Sequence, residues 1–227
     1  MSIFNLDYIN RLEEEFSLNN YNGIKTENES FKVVDGSVPI LISCAHSVNQ
    51  IRRGGLKQRE KYIGSVAKLL HEVKDVNVIY KYHNDGIDDN YVLETRYKYA
   101  IENIIKKKNI KMLIDIHGMV GSWSSRFRGY YIELGTDDGR NLLGNNYISN
   151  EAVNIFNKNG VDKVVVDKKF KASKNYTISK YTSMNCRIPT MQIEISGDFR
   201  DPNFNMYNFK KMIDSFKDII DFVNRSL

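Results

Sequence analysis

Two of the four histidines follow apolar runs, at places where a buried strand would end. His117 follows the run 112–116, and His46 follows the run 38–43. Neutral imidazole is the commonest side-chain ligand of a catalytic zinc, so two imidazoles at strand ends would supply two ligands of one metal site. One buried histidine taken alone is more simply explained by hydrogen bonds to its neighbours. The occurrence of two such histidines favours a metal.

Carboxylates close to these histidines extend the candidate site. Asp115 lies two residues before His117, and both side chains point to the same side of a strand because strand side chains alternate. Asp115 is therefore a candidate partner for the second ring nitrogen of His117. Glu60 follows His46 across a Gly-rich loop and could return to the same strand end as a third ligand. As an alternative, Glu60 would complement the dipole of a helix in whose first turn it is predicted to lie.

Glu194 lies within the apolar run 190–195. Acidic residues are depleted in strands, and a buried carboxylate is costly without a partner. A buried ion pair would explain it, and so would a catalytic base that faces a bound metal. Two histidines and one carboxylate leave a tetrahedral zinc with an open position, which is the ligand set of a hydrolytic site. Glu194 would then be a candidate general base that accepts a proton from water.

The elements that would position these residues alternate between strands and helices. The Asp35-Gly36 pair predicts a hairpin between the first two strands, and the central β-α-β-α-β order predicts parallel strands. We therefore expect an α/β fold with a mixed, mostly parallel sheet and helices on both faces, in which ligands bind at the carboxyl ends of the strands. Hydrophobic periodicity predicts strands over residues 31–34, 38–43, 76–80, 111–116, 129–134, 163–166 and 190–195, and helices over residues 58–73, 91–108, 149–157 and 203–224.

Two polar segments have more than one interpretation. Residues 83–90 contain a histidine and several acids that could supply metal ligands, although a solvated loop is the simpler interpretation. Residues 168–174 contain four lysines. We interpret this basic run as a solvated loop, with a lid that binds an acidic group as the less favoured alternative.

Composition restricts the class of protein. With 227 residues, 41% hydrophobic and 27% charged, the chain is expected to form a single α/β domain over residues 1–227, with residues 1–30 as a variable N-terminal segment. The net charge of +5 is spread along the chain, and no nucleic-acid motif accompanies it, so we expect no nucleic-acid partner. We see no signal peptide and no apolar run long enough to cross a bilayer, and we therefore expect a cytoplasmic protein without a membrane partner.

Four short motifs contain the candidate residues: Ile-Leu-Ile-Ser-Cys-Ala-His46-Ser, Lys57-Gln-Arg-Glu60, Leu-Ile-Asp115-Ile-His117-Gly and Gln192-Ile-Glu194-Ile. They resemble motifs of the N-formylglutamate amidohydrolase family, and the resemblance extends from about residue 37 to residue 202. Ala45 replaces a proline that is usual in the family, and Glu60 replaces an acidic ligand that is often aspartate. The spacing from His46 to Glu60 is also longer than the His-x-x-Glu of the carboxypeptidases.

The resemblance implies a fold similar to the zinc carboxypeptidases and aspartoacylases, a phosphorylase/hydrolase-like arrangement with a mixed sheet of about eight strands and one zinc in the cleft. It implies His46, Glu60 and His117 as zinc ligands and Glu194 as the glutamate that activates water. The implied activity is hydrolysis of the amide bond of a small N-acylated amino acid, N-formylglutamate in particular, or of a short peptide. A zinc carboxypeptidase, a cell-wall peptide amidase and a non-catalytic binding module on the same fold stay open as alternatives.

A substrate carboxylate would need a cationic partner, and a bidentate arginine suits this role best. The candidates are Asn90 and Arg96, which lie where a family member would place such a clamp. Arg128 and Arg200 are the competing candidates.

Overall fold

The computed structural model describes residues 5–25, 29–119 and 129–227. None of the helices within these ranges combines the length and the apolar character needed to cross a membrane. The helices are Leu6–Tyr21 (α1), Ile63–Lys74 (α2), Arg96–Lys108 (α3), Tyr147–Lys158 (α4), Ile178–Cys186 (α5), Gly197–Arg200 (α6) and Met206–Ser226 (α7). The strands are Phe31–Val34 (β1), Val38–Cys44 (β2), Gln50–Arg52 (β3), Gly55–Lys57 (β4), Val76–Lys81 (β5), Met112–Gly118 (β6), Ile132–Gly135 (β7), Val164–Val166 (β8) and Thr190–Ile195 (β9).

Seven strands form one sheet in the order β1-β5-β2-β6-β9-β7-β8, and β3 pairs with β4 in a separate two-stranded sheet. The central strands β5, β2, β6 and β9 are parallel neighbours. β1 is antiparallel to β5, and β7 is antiparallel to β9. β8 is parallel to β7. The predicted α/β fold with a mixed, mostly parallel sheet is confirmed.

Helices cover both faces of the sheet because consecutive strand residues point to opposite sides. Ile42 and Ile114 belong to a core that contains side chains of α1, α2, α4 and α7. Leu41 and Leu113, their neighbours in sequence, pack in a second core with α3 and α5. The central strands are therefore apolar on both faces, as expected of buried parallel strands. By the same alternation, Asp115 lies on the α3 side of the sheet.

The predicted hairpin between β1 and β2 is wrong, because β5 lies between these two strands in the sheet. Gly36 passes over the start of β5, where its backbone N–H donates to Asn77 Oδ1 at 3.0 Å. A Cβ atom on Gly36 would lie 2.1 Å from the carbonyl oxygen of Asp75. The Asp35-Gly36 pair therefore marks a close approach to β5 rather than a two-residue turn.

Two predicted helices begin later than their periodicity indicates. α2 begins at Ile63 rather than at residue 58, because Tyr62 has a left-handed backbone with φ of 67°. The chain before it is fixed to the segment that follows β2 instead, since the Glu60 N–H donates to the His46 carbonyl oxygen at 2.8 Å. α3 begins at Arg96 rather than at residue 91, with Thr95 as its N-cap. Glu60 therefore lies outside the helix in whose first turn it was predicted.

Candidate metal centre

The three predicted ligands come together at the carboxyl ends of β2 and β6, which are adjacent parallel strands. The Nδ1 atoms of His46 and His117 lie 3.0 Å apart. Glu60 reaches both rings from the segment before α2, with Oε1 at 2.9 Å from His46 Nδ1 and Oε2 at 3.2 Å from His117 Nδ1. These three side chains could hold a metal ion.

A buried aspartate contacts the far nitrogen of each imidazole. His46 Nε2 lies 2.9 Å from Asp88 Oδ1, and His117 Nε2 lies 3.0 Å from Asp115 Oδ2. Both aspartates are fully buried. A carboxylate accepts a hydrogen bond, so each Nε2 carries the hydrogen and donates it, which leaves each Nδ1 with a free lone pair. The two aspartates thus set both the tautomer and the orientation of the rings.

This arrangement fits a divalent metal. Two imidazole lone pairs and a carboxylate face the same point, and such a group of acceptors needs a cation or a proton between its members. Two nitrogens that bind one tetrahedral zinc at about 2.0–2.1 Å lie about 3.3 Å apart. The observed 3.0 Å between the two Nδ1 atoms is close to that separation. One carboxylate and two imidazoles are also donors that suit zinc.

The charges around His46, Glu60 and His117 favour a cation between these three side chains. Burial opposes a positive charge on His117, but Asp115 and Glu60 outweigh it and raise the pKa of His117 well above its usual value. Burial likewise opposes ionisation of Glu60, but His46, Lys57 and His117 hold its pKa well below the usual range. In the metal-free protein a proton on His117 therefore takes the place of the metal, and the two compete for the same nitrogen.

Glu194 lies on β9, and its register partner on the neighbouring strand β6 is His117. Gln192 Nε2 donates to Glu194 Oε1 at 3.0 Å, so an amide holds this carboxyl group. Burial raises the pKa of Glu194 to about 7, with Glu60 and Glu133 adding to the shift and His117 and Lys57 opposing it. A carboxyl group with such a pKa can accept a proton and return it near neutral pH.

The three candidate ligands and Glu194 line one cavity of about 390 Å³. Its size is in the range of small-molecule sites. Arg52, Lys57 and Gln192 add polar groups to its wall, and residues 169–174 form another part of that wall. The cavity opens at the carboxyl ends of the central strands, where ligands bind in open α/β sheets.

Of the two residues predicted to bind a substrate carboxylate, Asn90 lines the cavity and Arg96 does not. Asn90 lines the cavity, where its Oδ1 accepts a hydrogen bond from the Ile178 N–H at 2.8 Å. The assignment of Arg96 to the cavity is wrong, because its side chain is 80% exposed and forms an ion pair with Glu29. As the first residue of α3, Arg96 lies on the outer surface.

Of the two competing arginines, the structure describes only Arg200. Arg200 is buried beneath Gly118 and donates to backbone carbonyl oxygens, among them that of Met119 at 3.1 Å. Its guanidinium therefore holds the chain together instead of facing a ligand. Arg128 lies outside the described residues.

The contacts of Asp88 and Arg52 were not predicted from the sequence. Asp88 was assigned to a solvated loop, but it is fully buried and contacts His46. Arg52 Nε donates to Asp88 Oδ2 at 2.6 Å. Burial opposes the charge of Asp88, but these two contacts hold its pKa well below the usual value. The available signal was that residues 83–90 follow β5, whose carboxyl end lies beside that of β2.

Replacement of Asp88 by asparagine is expected to lower zinc affinity by about 10- to 100-fold. The amide removes the negative charge that holds the Nε2 hydrogen of His46, so the ring loses its fixed tautomer. Competition with a chromophoric chelator measures the change. Asp85→Asn, in the same loop but bonded to Ser30, is the matched control. Equal zinc affinity in Asp88→Asn and the control would contradict the role given to Asp88.

No protein-family model matches this chain, and a search of curated proteins also finds no match. Solved structures do match. A gene product from Agrobacterium tumefaciens is similar with a TM-score of 0.64 and 14% identity, covering 88% of this chain and 96% of that one. A metallo-carboxypeptidase from Burkholderia cenocepacia is similar with a TM-score of 0.50 and 11% identity, covering 87% and 66%. At such identities the likeness concerns the fold, and it confirms the expected carboxypeptidase-like fold.

Proposed function

We propose that this protein is a zinc-dependent hydrolase that cleaves the amide bond of a small N-acylated amino acid or a short peptide. One observation carries the proposal: two imidazole lone pairs and the Glu60 carboxylate face one point, in the same cavity as Glu194. The carboxypeptidase-like fold supports it, since this cavity lies at the carboxyl ends of the strands.

The residues divide the chemistry between them. Zinc held by His46, Glu60 and His117 would polarise the substrate carbonyl and lower the pKa of a water molecule. Glu194 accepts the proton of the attacking water and delivers it to the leaving amine, a task that suits its pKa of about 7. Gln192 holds one oxygen of Glu194 by a hydrogen bond, and the transfer would use the other oxygen.

The cavity favours a small substrate. Its volume of about 390 Å³ suits an N-acylated amino acid, whereas a cell-wall peptide would need a longer groove. N-formylglutamate is the substrate that the motif resemblance suggests. A carboxypeptidase activity on short peptides is the second candidate, and the similarity of fold to the Burkholderia metallo-carboxypeptidase favours it. A binding module without catalysis is less favoured because it leaves Glu194 without a role.

A panel of amide substrates tests the proposal. The purified protein, loaded with one equivalent of zinc, is expected to release free amine from N-formylglutamate faster than from N-acetyl or N-succinyl amino acids or from dipeptides. Amine release is followed by derivatisation and chromatography, with zinc-free protein as the control. Full zinc loading without release of amine from any member of the panel would contradict a hydrolase and favour the binding module.

A further inference from the structure

Lys98 lies in the first turn of α3, and its side chain is fully buried. Its ammonium group donates to three backbone carbonyl oxygens, those of Val92 at 2.5 Å, of Leu93 at 3.4 Å and of Tyr176. An ammonium group has three hydrogens, so the three acceptors use all of them. Burial of a charge is costly unless hydrogen bonds compensate for it. The compensation comes here from two separate parts of the chain.

These two parts form facing portions of the cavity wall. Residues 88–95, the first wall segment, contain Asn90 and Tyr91, which line the cavity. Residues 169–177, the second wall segment, contribute a longer part of the lining that includes Tyr176. Since Lys98 donates to carbonyl oxygens in both wall segments, its ammonium group joins them.

Two further contacts join the same wall segments beside the cavity. The Asn90 side chain accepts a hydrogen bond from the Ile178 N–H at 2.8 Å, directly after the second wall segment. The ring centroids of Tyr91 and Tyr176 lie 4.9 Å apart. Lys98 itself is not one of the described residues that line the cavity. It therefore acts on a ligand only through the distance between the two wall segments.

The candidate metal ligands do not belong to either wall segment. The first wall segment reaches the metal centre through Asp88, which contacts His46 at 2.9 Å. Asp88 has its own anchor, because Arg52 Nε donates to its Oδ2 at 2.6 Å. We therefore expect loss of the Lys98 contacts to change the binding of a substrate more than the binding of zinc.

The surroundings of Lys98 make its charge sensitive to pH. Burial lowers the pKa of Lys98 to about 8, and three aspartates oppose this shift: Asp89, Asp115 and Asp88. The ring of Tyr181, on α5, lies 5.1 Å from Nζ. A neutral amine has only two hydrogens and cannot donate to three carbonyl oxygens. The contacts between the wall segments should therefore weaken as the pH rises through this value.

We propose that Lys98 is a positioning residue whose ammonium group holds the two wall segments together, so that the affinity for substrate depends on its charge. This inference rests on the proposed function and adds a control of affinity from outside the cavity. Hydrogen bonds from a charged donor are about twice as strong as neutral ones, which is why the charge matters. A preformed cavity also loses less conformational entropy when a ligand binds.

Lys98→Met tests the positioning role, because methionine keeps an unbranched apolar stem but lacks the three donors. At pH 7, KM for the fastest substrate of the amide panel is expected to rise by about tenfold. The value of kcat should stay within a factor of about two, since Glu194 and the candidate metal ligands lie outside both wall segments. Lys107→Met is the matched control, because Lys107 is exposed and lies near the other end of α3. An unchanged KM in Lys98→Met would overturn the inference.

The pH dependence of KM distinguishes positioning by the ammonium group from mere support of the fold. As the pH rises above about 8, KM of the unmodified protein should approach that of Lys98→Met. The ratio of the two KM values removes the contribution of other titrating groups, which both proteins share. A ratio that stays the same from pH 6.5 to about 9.5 would contradict a role for the charge.

Hydrogen exchange followed by mass spectrometry separates this inference from the proposed function, because it needs no turnover. In Lys98→Met, peptides from both wall segments should exchange about tenfold faster than in the unmodified protein, while β6 keeps its protection. If this difference is found but no amide is cleaved, the proposed hydrolase fails and the role of Lys98 stands. If an amide is cleaved but neither exchange nor KM depends on Lys98, the role of Lys98 alone fails.

The unmodified protein provides the same test if Lys98→Met does not fold. Its exchange is measured at pH 7 and pH 9 and corrected for the intrinsic effect of pH on exchange. Protection should fall at pH 9 in the two wall segments and not in β6. Equal protection of the wall segments at both pH values would overturn the inference.

Discussion

Glu194→Gln is expected to lower kcat of the zinc-loaded protein by about 10²- to 10⁴-fold, the usual contribution of a general base. Glutamine has nearly the same shape but cannot accept the proton of the attacking water. Zinc affinity should be unchanged, because Glu194 is not among the three candidate ligands. Steady-state hydrolysis of N-formylglutamate, with zinc content measured in the same samples, checks the effect. Glu151→Gln, on α4 and away from the cavity, is the control.

The pH profile gives a second measure of the same residue. Burial raises the pKa of Glu194 to about 7, and a protonated Glu194 cannot act as a base. The value of kcat/KM should therefore rise with pH as Glu194 loses its proton, which gives the pH profile an acid limb. A divalent cation bound nearby favours the carboxylate, so it shifts this limb to lower pH. Glu194→Gln should lose this limb. Unchanged turnover in the variant would exclude Glu194 as the base.

His117→Ala is expected to abolish stoichiometric zinc binding and, with it, hydrolysis. The substitution removes one of three candidate ligands, and its effect on zinc affinity should exceed the roughly 100-fold loss that follows removal of a hydrogen-bonded partner of a ligand. Metal analysis after dialysis against a weak chelator measures the loss. His71→Ala is the control, since His71 Nδ1 contacts the Val76 carbonyl oxygen and lies outside the cavity. One equivalent of zinc retained by His117→Ala would contradict the ligand assignment.

Zinc affinity should also depend on pH with a defined sign. Asp115 and Glu60 overcome the effect of burial and raise the pKa of His117, so zinc must displace a proton over the pH range below that raised pKa. In that range the affinity falls as the pH falls, by about tenfold per pH unit for one proton released. Calorimetry in two buffers of different ionisation enthalpy counts the released protons. An affinity that does not change with pH below that raised pKa would contradict the displacement of a proton.

The sequence indicated the strand-end histidines because the apolar runs before them are local features. β2 and β6 prove to be adjacent and parallel, which brings His46 and His117 together. The sequence placed both histidines at strand ends but did not predict that these two strands are neighbours. Hydrophobic periodicity does not predict that Glu60 lies beside the two histidines. Its position depends on a backbone hydrogen bond to His46 and on the left-handed residue Tyr62, which ends the predicted helix early.

The residues that the sequence did not reveal depend on tertiary neighbours. Asp88 is buried because β5 lies next to β2, and no pattern within residues 83–90 carries that information. Arg96 was chosen as a candidate clamp from the family resemblance, and the structure places it on the outer surface as the first residue of α3, where it pairs with Glu29. The Asp35-Gly36 pair predicts a hairpin from the sequence, whereas in the structure Gly36 allows the chain to pass close to the start of β5.

The reversed direction of β7 divides the cavity between two parts of the chain. The candidate metal ligands belong to the parallel half of the sheet, whereas Glu133 and the loop after β8 belong to the half that runs the other way. Loop replacements after β8 would therefore change the part of the cavity wall formed by residues 169–174 and leave the candidate metal ligands in place.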